Sequence, residues 1–275
     1  MTVCLIAIAA GLFFKFSKAK KPNNIETPES ETRIESVPAQ TMPVISEPEA
    51  NISEPTKILP AAVPILMYHY IRDYTDPRDP IGVGLSVSPQ KFETQLAWLR
   101  GHNYQTVFPH YFVEPQPLAA KPVVLTFDDG YQDAYDAVFP LLQKYHLAGM
   151  FYLIVNKVGT PGYLSWEEIL AMQQAGMMFG DHTLSHPDLS KLEAADLARE
   201  IQGSQTVLEQ KLGRPVTDFC YPSGKYDAAV LKELNADHFQ AAVTTQSGID
   251  TLKSNPLLLS RLRITEQSDL SMILK

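Results

Sequence analysis

The apolar run Val-Val-Leu-Thr-Phe at residues 123–127 is entered through Pro122 and ends abruptly in Asp128-Asp129-Gly130. A strand without alternating polar positions is typical of one that is covered on both faces, as in a parallel sheet. The polar turn therefore follows the carboxyl end of a buried strand. In parallel α/β folds, functional groups lie in the loops at that end.

Beyond residue 61, short apolar runs alternate with segments of helical periodicity, which indicates repeated βα units. Such an order predicts a parallel sheet with right-handed crossovers, economically closed into a barrel. The predicted strands are 64–68, 123–127, 150–155, 177–179, 216–221, 241–244 and 257–262, and the predicted helices are 89–101, 135–142, 166–176, 191–213 and 228–235. Ser165 with Glu168 and Ser190 with Glu193 have the spacing of capping boxes.

The first 60 residues have a different composition. Residues 1–16 contain an apolar run of about a dozen residues, shorter than the roughly 20 needed to span a membrane but suited to a signal peptide or short anchor. Lysines follow this run instead of preceding it, the reverse of the usual order, so cleavage stays open. Residues 17–60 are rich in Pro, Glu and Ser, which predicts a disordered linker. We expect an exported protein, tethered to a membrane or secreted, with its folded domain at 61–275.

The overall charge and cysteine content exclude two classes of protein. The 275-residue chain has a formal net charge of -8, which argues against a nucleic-acid partner, because such proteins need a basic patch. Its two cysteines, Cys4 and Cys220, lie far apart, so a disulfide framework is not expected. We expect a monomer.

Two short motifs contain metal-binding side chains. A carboxylate and two imidazoles can hold Zn²⁺ with positions left open for water and substrate. His182 and His186 have suitable spacing, but the chain lacks the Glu that follows the first His in metalloproteases. Asp128-Asp129 alone also fits an ordinary turn. Both motifs follow strands of one predicted sheet, and together they indicate a metal site.

The sequences Thr-Phe-Asp-Asp-Gly at 126–130 and His-Thr-Leu-Ser-His-Pro at 182–187 resemble two motifs of the polysaccharide deacetylases of the NodB-homology type, carbohydrate esterase family 4. The likeness extends from residue 61 to about residue 265 and includes Met67-Tyr68-His69. It implies a distorted (β/α) barrel with about seven parallel strands.

The resemblance also implies a division of roles within the site. Asp129, His182 and His186 are expected to bind a divalent metal, with Zn²⁺ the first expectation, while Asp128 stays off the metal as general base. The implied partner is an acetylated polysaccharide. Asp181, next to His182, is either a support for that ligand or a solvated side chain.

A third family motif resembles residues 219–224, Phe-Cys-Tyr-Pro-Ser-Gly. By this likeness, the main-chain N–H of Tyr221 is a candidate donor to the oxyanion that forms during acyl transfer. A tight turn without a catalytic role is the alternative, because Tyr-Pro also suits one.

The last family motif departs from its usual form. Many members carry a general-acid His there, whereas residues 258–264 contain none. His69 is a candidate substitute, and a purely structural histidine is the alternative. Arg261 or Arg263 is a candidate to orient Asp128 through a bidentate pair.

Three functions are consistent with these features. The first is removal of N-acetyl groups from an N-acetylglucosamine-containing polysaccharide, either peptidoglycan or an exopolysaccharide. The second is hydrolysis of O-acetyl esters on xylan-like glycans. The third is non-catalytic binding of a metal and a glycan, against which the intact Asp128 argues, because binding alone does not need a base.

Overall fold

A computed structural model describes residues 59–118 and 120–274. The predicted signal or anchor and almost all of the predicted linker lie outside the described residues, so these assignments stay predictions. Within the described ranges, every helix is too short or too polar to cross a membrane.

The described chain alternates short strands and helices. The strands are β1 (Ile65–Tyr68), β2 (Tyr70–Ile71), β3 (Ser86–Val87), β4 (Tyr104–Thr106), β5 (Lys121–Phe127), β6 (Met150–Leu153), β7 (Met178–Asp181), β8 (Asp218–Cys220), β9 (Ala241–Val243) and β10 (Leu262–Arg263). The helices are α1 (Pro80–Leu85), α2 (Pro89–Gly101), α3 (Phe139–Lys144), α4 (Trp166–Gln174), α5 (Ala194–Leu212), α6 (Ala228–Ala236) and α7 (Leu270–Ile273). Residues Ala134–Val138 form a π-helical turn that continues into α3.

Seven strands form one curled parallel sheet in the order β10-β1-β5-β6-β7-β8-β9, and β4 pairs with the beginning of β5. An isolated parallel bridge from Val243 to Leu259 connects β9 to the segment that precedes β10. The sheet thus curls into a partial barrel, and the predicted distorted (β/α) barrel of about seven parallel strands is confirmed.

Both faces of the central strands are buried, as the apolar run at 123–127 predicts. Leu125 and Phe127 of β5 belong to the larger hydrophobic cluster, which also includes core-facing residues of the helices. Val124 belongs to a smaller cluster on the opposite face, with Met150 and Tyr152 of β6. Burial on both faces accounts for the absence of polar alternation in this strand.

Helix ends follow the sequence signals with one exception. Ser165 and Glu168 form the predicted capping box of α4, with N···O distances of 3.3 Å and 2.8 Å. Gly213 ends α5 in the left-handed conformation, at φ 67°. The second predicted capping box is wrong: Glu193 is the N-cap of α5 without a side-chain bond, and the hydroxyl of Ser190 instead donates to Asp188.

The last predicted strand, 257–262, is largely wrong. Pro256–Leu258 form a single 3₁₀ turn, and strand structure is limited to Leu262–Arg263. Pro256 begins this turn, and the Asn255 side chain accepts a hydrogen bond from the N–H of Leu257. The apolar side chains of this segment are buried by a turn, which the apolar pattern does not distinguish from a strand.

We expect Ser165→Ala to lower the free energy of unfolding by about 1 kcal/mol, because the first turn of α4 loses its cap. For a domain of this size, thermal unfolding by circular dichroism should show a melting temperature lower by roughly 2–4 °C. Ser190→Ala is the matched control and should change stability by less than about 0.5 kcal/mol. Equal losses of stability in the two variants would contradict the role of Ser165 as the N-cap of α4.

Candidate functional site

The predicted site residues meet at the carboxyl-terminal edge of the sheet. Asp128 and Asp129 follow β5, His182 follows β7, and Tyr221 follows β8. Together with His69, His186 and Arg263, these residues line a cavity of about 280 Å³. Arg261 is buried, with 1% of its surface exposed. Parallel strands therefore bring together residues that are far apart in the sequence.

The turn after β5 directs Asp128 and Asp129 to different surroundings. Asp129 has φ 75° and Gly130 has φ 77°, so two successive residues are left-handed. Aspartate tolerates this conformation better than most residues do, and glycine adopts it freely. A Cβ at position 130 would also lie 2.9 Å from the side chain of Leu153. The sharp reversal thus requires the Asp-Gly pair of the motif.

Asp129, His182 and His186 form a set of potential metal ligands whose donor atoms all lie within 4.8 Å of one another. The Nε2 atoms of His182 and His186 are 3.4 Å and 3.9 Å from Oδ1 of Asp129. Two ligands bound at about 2.0–2.2 Å from one zinc ion would be roughly 3–4 Å apart. The separations and the donor types therefore fit a divalent ion such as Zn²⁺.

The orientation of His182 and the protonation state of His186 suit such a role. Nδ1 of His182 donates to the main-chain oxygen of Cys220 at 2.7 Å, which directs Nε2 toward Asp129. Burial, followed by the nearby His182, lowers the pKa of His186, so its ring is neutral and its nitrogen is free to bind a metal. The side chain of His186 is 31% exposed, which leaves one side of the set open to the cavity.

The loop from His182 to His186 has an unusual backbone, since Thr183 has φ 68° and His186 has φ 62°. The carboxylate of Asp181 accepts hydrogen bonds from the N–H of Thr183 at 2.6 Å and from the hydroxyl of Ser204 at 2.7 Å. Asp181 is fully buried. It therefore supports the loop and is not solvated.

A second buried carboxylate, on α5, holds the same loop. Glu200 accepts from the main-chain N–H of Ser185 at 2.9 Å and from its hydroxyl at 2.7 Å. The sequence analysis did not identify Glu200 or Ser204. Both are polar residues on the buried face of α5, beside Ile201 and Leu208, and polar residues on an apolar helix face could have indicated them.

Another group of possible ligands consists of Asp128, His182 and Cys220, also within 4.8 Å of one another. Arg261 donates to both oxygens of Asp128 and, through Nη2, to Sγ of Cys220 at 3.3 Å. A guanidinium already neutralises this group, so a divalent cation there would face a buried positive charge. The group containing Asp129 is therefore the better candidate for a metal site.

Asp128 forms a bidentate ion pair with Arg261, with N···O distances of 2.7 Å and 2.8 Å. The side chains are 3% and 0% exposed, respectively. Burial acts to raise the pKa of Asp128, but the charge of Arg261, with a contribution from His69, holds it well below its ordinary value. Asp128 is thus ionised and oriented. Of the two arginines considered from the sequence, Arg261 makes this pair.

His69 lies on the other side of Asp128, with Nε2 3.7 Å from Oδ2. Burial lowers the pKa of His69, and the charges of Arg261 and Arg263 act in the same direction against the two aspartates. A neutral imidazole at this distance can exchange a proton with Asp128 after a small movement or through a water molecule. The position is compatible with a role in proton transfer.

Tyr221 lines the cavity, but its main-chain N–H donates to the oxygen of Val243 at 3.2 Å. Its hydroxyl donates to the main-chain oxygen of Leu257 at 2.8 Å. An oxyanion role for the N–H would therefore require it to leave Val243. This assignment stays a prediction.

Four further residues line the cavity, of which the sequence analysis included only Ser223, as part of the third motif. Ser223 and Thr245 contribute polar groups, and Ile81 and Leu85 of α1 contribute an apolar wall. Ile81 is 74% exposed. Helix α1 lies between β2 and β3, in a segment without any of the family motifs. Nothing in the sequence therefore indicated that this helix lies beside the cavity.

Comparison with known proteins shows that the chain is similar to polysaccharide deacetylases. A sequence model of the polysaccharide deacetylase family matches residues 116–242. The chain is 30% identical over 210 residues to the Bacillus subtilis protein YxkH, which is assigned to the polysaccharide deacetylases, and the match covers 75% of this chain and 72% of that protein. It is 25% identical over 203 residues to a Staphylococcus epidermidis poly-beta-1,6-N-acetyl-D-glucosamine N-deacetylase, covering 66% and 69%.

A solved structure shares the fold across nearly its whole length. The chain is similar to the Streptococcus pyogenes deacetylase PplD in complex with acetate, with a TM-score of 0.73 and 29% identity. The match covers 80% of this chain and 98% of that structure.

The ion pair of Arg261 with Asp128 leads to a stability prediction. We expect Arg261→Met to lower the free energy of unfolding by about 3–5 kcal/mol at pH 7, because a buried carboxylate loses its partner. The folded pKa of Asp128 is depressed, so the contribution of the pair is complete above the unfolded pKa of about 4 and disappears as the pH falls toward the folded value. Urea unfolding at several pH values measures this difference.

The double variant Asp128→Asn with Arg261→Met is the control, because it removes both charges and should recover part of the lost stability. A cost for Arg261→Met that stayed the same at pH 7 in the Asp128→Asn background would show that packing is responsible instead of the ion pair.

Proposed function

Because this chain belongs to the polysaccharide deacetylase family, we propose that it is a metal-dependent hydrolase that removes N-acetyl groups from an N-acetylglucosamine-containing polysaccharide. The observation that carries the proposal is the ligand set of Asp129, His182 and His186, with the separate carboxylate of Asp128 beside it. The similarity to the Staphylococcus epidermidis poly-beta-1,6-N-acetyl-D-glucosamine N-deacetylase supports this kind of substrate.

Asp129, His182 and His186 would hold the metal. When bound, a divalent ion would polarise the acetamide carbonyl and make a water molecule more acidic. The side chain of Asp128 would accept a proton from the attacking water. Arg261 keeps that carboxylate ionised and fixes its orientation.

The reaction adds the water oxygen to the acetyl carbon and breaks the bond between that carbon and the sugar nitrogen. One proton of the water must reach the leaving nitrogen. A carboxylate with a depressed pKa holds a proton weakly, so Asp128 would pass it on readily. His69 is our candidate recipient, since its Nε2 lies 3.7 Å from Oδ2 of Asp128. From His69 the proton would pass to the sugar nitrogen, giving acetate and an amine.

The test combines metal analysis with acetate release. The zinc-loaded protein should release acetate from N-acetylglucosamine oligosaccharides and not from acetylated xylan. Asp128→Asn should retain the metal but lose at least about 100-fold in kcat. His186→Ala should lose metal and activity together, because it removes a ligand from the open side of the set.

Two results would contradict N-deacetylation and indicate one of the other two functions. Acetate from xylan but not from N-acetylglucosamine oligosaccharides would indicate an O-acetyl esterase. A folded, metal-loaded protein that is inert on all of these glycans would indicate a binding protein.

His69 can be tested separately. We expect His69→Gln to lower kcat by about 100-fold or more with little change in KM, because the side chain would act on the leaving group and not in binding. Because the pKa of His69 is lowered, the ring takes up a proton only at acidic pH, and the variant should change the pH profile of kcat. Full kcat with an unchanged acidic limb of the pH profile would contradict the proton-transfer role. His146→Gln, outside the cavity, is a matched control.

A further inference from the structure

Of the two arginines that the sequence analysis considered as partners of Asp128, Arg263 does not form the ion pair. It is the last residue of β10, paired in register with Met67 of β1, and it lines the cavity with His69, Asp128 and Asp129. Unlike the buried Arg261, it is exposed. A positively charged side chain therefore lies at the solvent-exposed edge of the cavity.

Within residues 59–118 and 120–274, the guanidinium of Arg263 has neither an ion pair nor a hydrogen bond. The nearby carboxylates have partners of their own. Both oxygens of Asp128 accept from Arg261. Glu266, further along the same segment, accepts from the main-chain N–H and the hydroxyl of Ser88 at 2.7 Å and 3.0 Å. Arg263 thus keeps its donors available for a ligand.

The charge around the cavity differs from that of the whole chain. The two carboxylates, Asp128 and Asp129, are balanced by two guanidiniums, those of Arg261 and Arg263. A divalent metal on the ligand set would leave this region with a net positive charge, although the chain carries -8 overall. Such a region attracts anions and discriminates against cations.

We propose that Arg263 determines substrate specificity by binding a carboxylate on the glycan, so that the preferred substrate is an acidic polysaccharide. The carboxylate would be on the sugar that loses its acetyl group or on the adjacent sugar. A guanidinium fork matches a carboxylate with two parallel hydrogen bonds, whereas the hydroxyls of a neutral glycan give weaker, uncharged bonds. This inference rests on the proposed function, because it assumes that a glycan occupies the cavity.

The experiment compares two substrates that differ in one charge. One is an N-acetylglucosamine oligosaccharide in which alternate sugars carry an ether-linked carboxylate, and the other is the methyl ester of the same molecule. For the wild type, we expect kcat/KM to be about 10- to 100-fold higher for the free acid, the range of a hydrogen-bonded charge pair. Added salt should reduce this ratio.

In Arg263→Gln the ratio of the two kcat/KM values should fall close to one, with the change mainly in KM for the acid. Arg263→Lys keeps the charge without the fork and should show an intermediate ratio. Arg100→Gln is the matched control, because Arg100 is an exposed arginine in the last turn of α2, outside the cavity. It should leave the ratio unchanged.

A wild-type ratio near one, or an unchanged ratio in Arg263→Gln, would overturn the inference. A different result, in which the wild type releases acetate from neither substrate, would contradict the proposed function but not the role of Arg263. In that case the affinity of the metal-loaded wild type for the two glycans, measured by calorimetry, still decides the role of Arg263. Equal affinities would overturn it, and tighter binding of the acid that is lost in Arg263→Gln would support it.

Discussion

The buried side chain of Arg261, just before β10, forms an ion pair with Asp128 at the end of β5, in the interior of the curled sheet. Arg261 also donates to the main-chain oxygen of Thr244 at 2.7 Å and to the hydroxyl of Thr126 at 3.1 Å. One side chain therefore joins β5 to the end of β9 and to the segment before β10. Removing two charges from water is costly, and buried pairs often add little net stability. The main effect of the pair between Arg261 and Asp128 is to hold an ionised carboxylate in the wall of the cavity.

Adjacent carboxylates with different environments are the main consequence of this arrangement. Asp128 and Asp129 follow one strand, but the left-handed backbone at Asp129 turns the second side chain toward His182. The carboxylate of Asp128 forms an ion pair with the guanidinium of Arg261, whereas that of Asp129 faces the imidazoles of His182 and His186. We propose that a metal binds only the second, because Asp129 lies beside two imidazoles that can serve as further ligands, whereas Arg261 already neutralises Asp128.

Much of this site could be predicted from the sequence because its main residues belong to short motifs that follow strands. The parallel sheet then brings Asp128 and His182 to the same edge. The choice between Arg261 and Arg263 could not be predicted, since both lie in one short segment and only their surroundings differ. The place of Glu200 on the apolar face of α5 could have indicated a buried polar role. Its partners could not be predicted, because they lie in the loop after β7 and contacts between segments that are distant in sequence have no local signal.

The depressed pKa of Asp128 limits how the proposed reaction can proceed. A base with so low a pKa takes a proton from water only if the water is already acidified, so the base and the metal would have to act together. The same property favours rapid loss of that proton to a better acceptor. His69 is the nearby imidazole, and its lowered pKa favours onward transfer to an amine, which is more basic. The proposed order of proton acceptors is therefore Asp128, then His69, then the sugar nitrogen.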